Sequence, residues 1–160
     1  MQRTRDACGE WARGTHVCDE IGGNSVRIAD FLGEWRIERE IVEAGDATHR
    51  LTGTALFSPE PEGLLYREDG VLVTDTGTSF AASRVYHWCD VAEGRVQVLF
   101  EDGRDFHTFD LTEGRPEDQH WCDPDQYRVS YDFSAWPFWQ SVWTVSGPRK
   151  DYQMVTRYYR

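Results

Sequence analysis

No stretch of the chain approaches the roughly 20 consecutive apolar residues that a bilayer-spanning helix needs. The opening residues, MQRTRDACGEWARG, carry charge but no apolar core, so they do not read as a secretory signal. Positive charge is scarce: 17 Lys and Arg stand against 28 Asp and Glu, for a net charge of −11. A surface that acidic repels phosphates, which sets aside nucleic acid and an anionic membrane as partners. Cysteine is sparse too. The four present are Cys8, Cys18, Cys89 and Cys122. With no export signal they read as reduced thiols in a cytoplasm. The chain shows no nucleophile elbow, phosphate loop or Ser-His-Asp ordering, and no convincing amphipathic helix.

What the chain has in plenty is aromatic side chains. Trp and Tyr each occur 7 times in 160 residues, too many core-formers for a disordered chain, and the length suits one domain. Residues 1–27 show neither helical nor strand periodicity and read as a flexible extension, with Cys8 and Cys18 as free thiols inside it. From residue 28 onward short strand-like runs alternate with turns. EWRIEREIV puts Trp35, Ile37, Arg39 and Ile41 on one face, and SFAASRVYHWC does the same for Phe80, Ala82, Arg84, Tyr86 and Trp88. Asp102-Gly103 is the clearest hairpin signal, and Asp69-Gly70 reads as another. About nine such runs without helices predict an all-β fold: a single closed or nearly closed antiparallel meander β-barrel of about 8–10 strands, with a short N-terminal helical turn. Closure removes exposed sheet edges. DYQMVTRYYR is therefore expected to pair antiparallel with EWRIEREIV.

The turn VRIADFL would hold Ile28, Phe31 and Leu32 against one end of the barrel. Gly33-Glu34-Trp35 follows, and an Arg stands on the last strand. This pairing resembles the calycin signature of lipocalins and fatty-acid-binding proteins. The resemblance implies that Gly33 and Trp35 mark the closed end and that Arg157 or Arg160 lies across the indole, a favourable cation–π contact. Thr156 to Tyr159, TRYY, is similar to the Thr-Arg-x-Tyr of fatty-acid-binding proteins, which would make Arg157 and Tyr159 carboxylate ligands. FLGEWRIER, DGRDFHTFDL, DQYRVSY and GPRKDYQMVTRYYR together resemble a bacterial family of uncharacterised calycin-like domains over residues 29 to 160. That likeness implies a fold and brings no activity. The parity of the last strand stays open between Met154, Tyr158 and Arg160 inward, which its apolar load favours, and Arg157 and Tyr159 inward.

Cations on apolar faces carry the functional expectation, because a buried charge needs a partner or an anionic ligand. Arg39, Arg84 and Arg160 would line a cavity, with Tyr66, Tyr86, Tyr127, Tyr131 and His107 supplying polar contacts. Their bland alternative is pairing with Glu68, Asp110 or Asp132. HWCD occurs twice, giving the pairs His87/Cys89 and His120/Cys122, whose donor set would suit zinc. His107 could serve as a haem ligand. Both cofactor readings rank below simple packing, so no cofactor is expected. GPRK reads as a hairpin turn or as a positive lip over the barrel mouth. The first expectation is a barrel that binds a small hydrophobic or anionic molecule, with a homodimer as a further option. The alternatives are a lipocalin-like decarboxylase, isomerase or cyclase acting on an aromatic acid, marked by a carboxylate such as Glu68 facing the tyrosines, and a filled barrel that is a structural or interaction module.

Overall fold

The computed structural model describes residues 25–160. The expected extension falls, for residues 1–24, outside the described residues, as do Cys8 and Cys18. Val26 already packs against the core. A 3₁₀ turn, Ile28–Phe31, leads into ten strands: β1 Gly33–Glu43, β2 Thr48–Glu60, β3 Gly63–Val73, β4 Ser79–Ala92, β5 Arg95–Phe100, β6 Asp105–Asp110, β7 Glu117–Cys122, β8 Asp125–Asp132, β9 Trp139–Ser146 and β10 Asp151–Tyr159. No helix among the described residues is long and apolar enough to cross a membrane.

The strands form one antiparallel sheet in the order β6-β5-β4-β3-β2-β1-β10-β9-β8-β7. Curled on itself, this sheet is a nearly closed barrel. The last strand pairs with the first in the expected sense, Ile37 opposite Tyr158 and Ile41 opposite Met154. The barrel is therefore continuous where its first and last strands meet. Its only gap among the described strands lies between the consecutive strands β6 and β7, where no ladder forms. Side chains bridge that seam instead. The Thr108 amide donates to Asp118 Oδ2 at 2.6 Å, and Phe106 stacks on Trp143 of β9 with ring centroids 4.9 Å apart.

Period-2 alternation sets which side chains fill the interior. In β1, Trp35, Ile37 and Arg39 are buried while Glu34, Arg36 and Glu38 face water. In β10, Met154, Thr156 and Tyr158 are buried, so the parity favoured by apolar load is the one formed. Arg157 then points outward, opposite Glu38 and Gln140. Tyr159 also points outward, beside Phe138 and under Arg36. The fatty-acid-binding carry-over to Arg157 and Tyr159 is thereby overturned: one residue of strand parity separates the two arrangements, and the greater apolar area decided it.

Two local expectations need correction. Asp69-Gly70 is not a turn. Both residues lie within the continuous strand β3, and Gly70 faces Gly53 across the ladder. The reason is close approach: a Cβ on Gly53 would stand 2.2 Å from the Asp69 carbonyl oxygen. The chain turns later, where Gly77 takes a φ of 84°. The strand that the alternation did not reveal is β7, EDQHWC, whose faces are mostly exposed or half-buried.

One end of the barrel is packed solid. Phe31 is fully buried amid the rings of Trp35, Phe57, Trp88, Phe133, Trp136 and Trp139. Trp35 Nε1 donates to the Phe31 carbonyl at 2.8 Å, tying the 3₁₀ turn across that end. Gly33 joins the turn to β1 with a φ of 106°, a conformation that glycine alone adopts without strain. Arg160 closes the arrangement from outside. Its guanidinium carbon lies 4.0 Å from the Trp35 ring centroid, and Nη2 donates to the Leu32 carbonyl. This location removes Arg160 from the set of ligand-binding candidates, because the indole beneath it belongs to the plugged end.

Candidate functional site

Above the aromatic plug, the interior carries charge. Arg39 projects from β1 and Glu68 from β3, both almost fully buried. Arg39 Nη1 and Nη2 donate to the two carboxylate oxygens of Glu68 at 2.6 and 2.7 Å, and Nε donates to Thr156 Oγ1 at 2.7 Å. The Tyr66 hydroxyl donates to Glu68 Oε2 at 2.5 Å. Burial alone would discharge both groups. For Arg39 it is more than offset by the hydrogen bonds and charge of Glu68, so the guanidinium holds its proton more firmly than usual. For Glu68, burial is likewise outweighed by Arg39, then by the charge of Arg84 and the Tyr66 hydroxyl, and the carboxyl stays below its ordinary range. Burial raises the Tyr66, Tyr131 and Tyr158 hydroxyls, which remain protonated.

Arg84 differs from Arg39. Its Nε lies 3.8 Å from Glu68 Oε1, beyond hydrogen-bond reach, and its side chain keeps 37% of its exposure. Among the described residues nothing hydrogen-bonds to it. Two guanidiniums thus share one carboxylate, and that carboxylate is already engaged by Arg39 and Tyr66. One positive charge is left over, at the boundary between two spaces. Above is a mouth cavity of about 670 Å³. Its walls include Tyr86, Phe100, Phe106, Trp143, Tyr152 and Met154. Below is a chamber of about 30 Å³ bordered by Arg39, Tyr66, Glu68, His107, Tyr131 and Tyr158. Arg84, Tyr86, Phe106 and Trp143 border both and form the neck.

The remaining candidates fall into place around these spaces. Tyr86 lies in the neck, and Tyr66 and Tyr131 border the lower chamber. Tyr127 lines the mouth, where Lys150 donates to its hydroxyl at 2.8 Å and also reaches Asp125 Oδ2 at 2.8 Å. The lip formed by GPRK is therefore engaged by a carboxylate. His107 is buried below, with Nε2 2.7 Å from the Tyr131 hydroxyl. That contact and the small chamber do not fit an axial haem ligand. The two HWCD pairs do not meet. His87 lies on the outer face beside Trp88 of the plugged end, bonded to Glu60 at 2.9 Å. His120 and Cys122 border the mouth. No cluster of three or more metal-ligating side chains occurs among the described residues. The sequence reading named Arg84, Tyr86 and Tyr127 of the mouth but missed Phe100, Phe106 and Trp143. The alternation Val96, Val98, Phe100 in β5 would have found one of them, while Phe106 and Trp143 needed the seam geometry.

Burial pushes His107 down from its ordinary 6.5 to about 3, with the charge of His120 adding to the effect. As pH falls below 6.5 the unfolded chain takes a proton that the native ring refuses, so stability is full above that pH and declines toward pH 3. The slope contributed is up to about 1.4 kcal/mol per pH unit. Urea unfolding of the unaltered protein and of His107→Gln between pH 7.5 and 5 checks this: the stability difference between the two should shrink as pH falls. Parallel curves would mean that His107 titrates normally.

Residues 31–160 match the model of DUF6314, a family of unknown function. The chain belongs to the DUF6314 family. No curated protein matches it in sequence. Among solved structures it is similar to the S-type phycobiliprotein lyase CPES from Guillardia theta, with a TM-score of 0.58 and 11% identity over 83% of this chain and 89% of that one. At that identity the likeness is one of fold. It is consistent with the calycin-like barrel expected from the Gly33/Trp35 end, and the DUF6314 match fits the resemblance seen from residue 29 onward.

Proposed function

We propose that this DUF6314 member binds a small, partly aromatic anion in the mouth of its barrel. Arg84 carries this reading: it is a half-buried guanidinium whose one carboxylate within ion-pair distance among the described residues is already taken, facing a cavity walled largely by aromatic rings. An anion there gains a charge-assisted hydrogen bond in a partly desolvated site, and rings supply stacking surface for a planar body. A cavity of about 670 Å³ lies within the roughly 300–1,000 Å³ usual for ligand pockets. The likeness in fold to a phycobiliprotein lyase supports a barrel that handles small molecules, and takes the proposal no further. The plugged end is filled by its own aromatics, but the mouth is not, which favours binding over a purely structural module. Proton transfer is less favoured, because Glu68 faces the tyrosines with its oxygens already accepting from Arg39 and Tyr66.

Titration with anthracene-9-carboxylate and the uncharged anthracene-9-methanol, followed by fluorescence, tests this. The carboxylate should bind saturably and more tightly than the alcohol. Arg84→Gln should weaken the carboxylate about ten- to a hundredfold, the value of a hydrogen bond to a charged group, and leave the alcohol unchanged. Equal binding of both probes, insensitive to Arg84, would sink the anion reading.

A further inference from the structure

His107 is a buried group that the mouth does not use. The residue is only 6% exposed, Nε2 is paired with the Tyr131 hydroxyl, and Nδ1 has no partner among the described residues. Phe109 and Tyr131 lie along the ring, and Phe106 and Trp143 meet it edge-on. Packed on these sides, the imidazole has no route for turning Nδ1 to solvent. Either group can donate across the Nε2–Tyr131 contact; with the Tyr131 hydroxyl as donor, the imidazole proton sits on Nδ1. A buried N–H without an acceptor is costly and is rarely left so in a folded protein.

The lower chamber brings His107 to the same small space as Arg84. Its volume of about 30 Å³ admits about one water-sized group. A ring cannot enter; one oxygen of a planar carboxylate can, with its carbon and second oxygen left in the neck, a position less suited to the larger tetrahedral head of a sulfonate. The carboxylate of Glu68 also borders this space, but Arg39 matches its charge. We propose that the chamber is a carboxylate head-group site, in which one oxygen of a planar carboxylate accepts from Nδ1–H of His107 while Arg84, in the neck, holds the other. The ligand class is then a monocarboxylic acid with an aromatic or conjugated body that stays in the mouth between Tyr86, Phe106 and Trp143. This rests on the mouth binding an anion at all, and the test separates the two.

Anthracene-9-carboxylate and anthracene-9-sulfonate carry the same ring and the same charge but different heads. The unaltered protein should bind the carboxylate about tenfold or more tightly than the sulfonate. His107→Phe should weaken the carboxylate by about tenfold, the low end for a hydrogen bond to a charged group, and leave the sulfonate where it was. Should that variant not fold, ¹⁵N-histidine spectra of the unaltered protein decide the matter, because the carboxylate should shift the His107 Nδ1 resonance. Equal affinity for both probes with Arg84-dependence intact, or an Nδ1 resonance that does not move, overturns the head-group site and leaves the mouth as an anion site. Failure of both probes to bind overturns both.

Discussion

Replacing Arg39 by Met should cost about 3–5 kcal/mol of unfolding free energy, the usual penalty for stranding one member of a buried ion pair. Arg39 supplies two of the three short bonds to the Glu68 carboxylate, at 2.6 and 2.7 Å. Without it Glu68 keeps Tyr66 and the more distant Arg84, whose Nε stands 3.8 Å away. The carboxylate must then remain ionised in an apolar interior or take up a proton. Either outcome shows in the pH profile. The pair's contribution exists while Glu68 is ionised in the fold at a depressed pKa, so it is present above the ordinary carboxylate range and lost as pH falls through the folded value. The Arg39→Met penalty should therefore shrink in acid. The double variant Arg39→Met with Glu68→Leu should recover most of the loss, since buried ion pairs are often replaceable by apolar residues of similar volume. Urea unfolding at pH 7.5 and pH 4 measures all of this. A single variant that loses less than about 1 kcal/mol, the range of exposed pairs, would mean that the pair is not sealed from water.

Removal of Tyr158, Tyr159 and Arg160 should leave a chain that aggregates or is unfolded at room temperature. Tyr158 stacks on Trp139 with ring centroids 3.5 Å apart and pairs with Ile37 of β1. Deleting a buried aromatic of that size costs about 3–5 kcal/mol. The same cut removes two rungs of the β1–β10 ladder, at Arg36 and Ile37, and uncovers the Trp35 indole. A cation–π contact adds about 0.5–2 kcal/mol, against a typical total of about 5–15 kcal/mol. The freed edge of β1 would also offer itself to other chains. Arg160→Lys should be mild by comparison, because a cation remains over the indole. Circular dichroism melts and size-exclusion chromatography of the two variants make the comparison. A truncated chain that elutes and melts like its parent would show that β10 does not close the barrel.

The fold was legible to the extent that alternation was legible. Trp35, Ile37 and Arg39, and likewise Arg84, Tyr86 and Trp88, face inward because a pleated strand has no other way to bury every second side chain. The last strand was readable for the same reason, once the apolar load of Met154 and Tyr158 was weighed against Arg157. β7 was not, because neither face of EDQHWC is apolar enough to mark it. Asp69-Gly70 misled, because the small residue that serves a turn also serves the close crossing with Gly53. The candidate site was legible in its residue types and in Glu68 as one offered partner, but not in which arginine Glu68 would take. Arg39 and Arg84 look alike in the sequence, each a cation on an apolar face.

The sequence by itself determined an all-β chain with an aromatic end, cations turned inward, and a final strand suited to meet the first. These are local properties, written in the spacing of side chains along each strand. Tertiary structure alone decided that the opening lies between β6 and β7, that Glu68 is taken by Arg39 and leaves Arg84 beyond hydrogen-bond reach of it, and that Nδ1 of His107 has no partner among the described residues. Each depends on distances across the barrel between residues far apart in the chain. Little more than one ångström there separates the closed Arg39–Glu68 pair from the more distant Arg84.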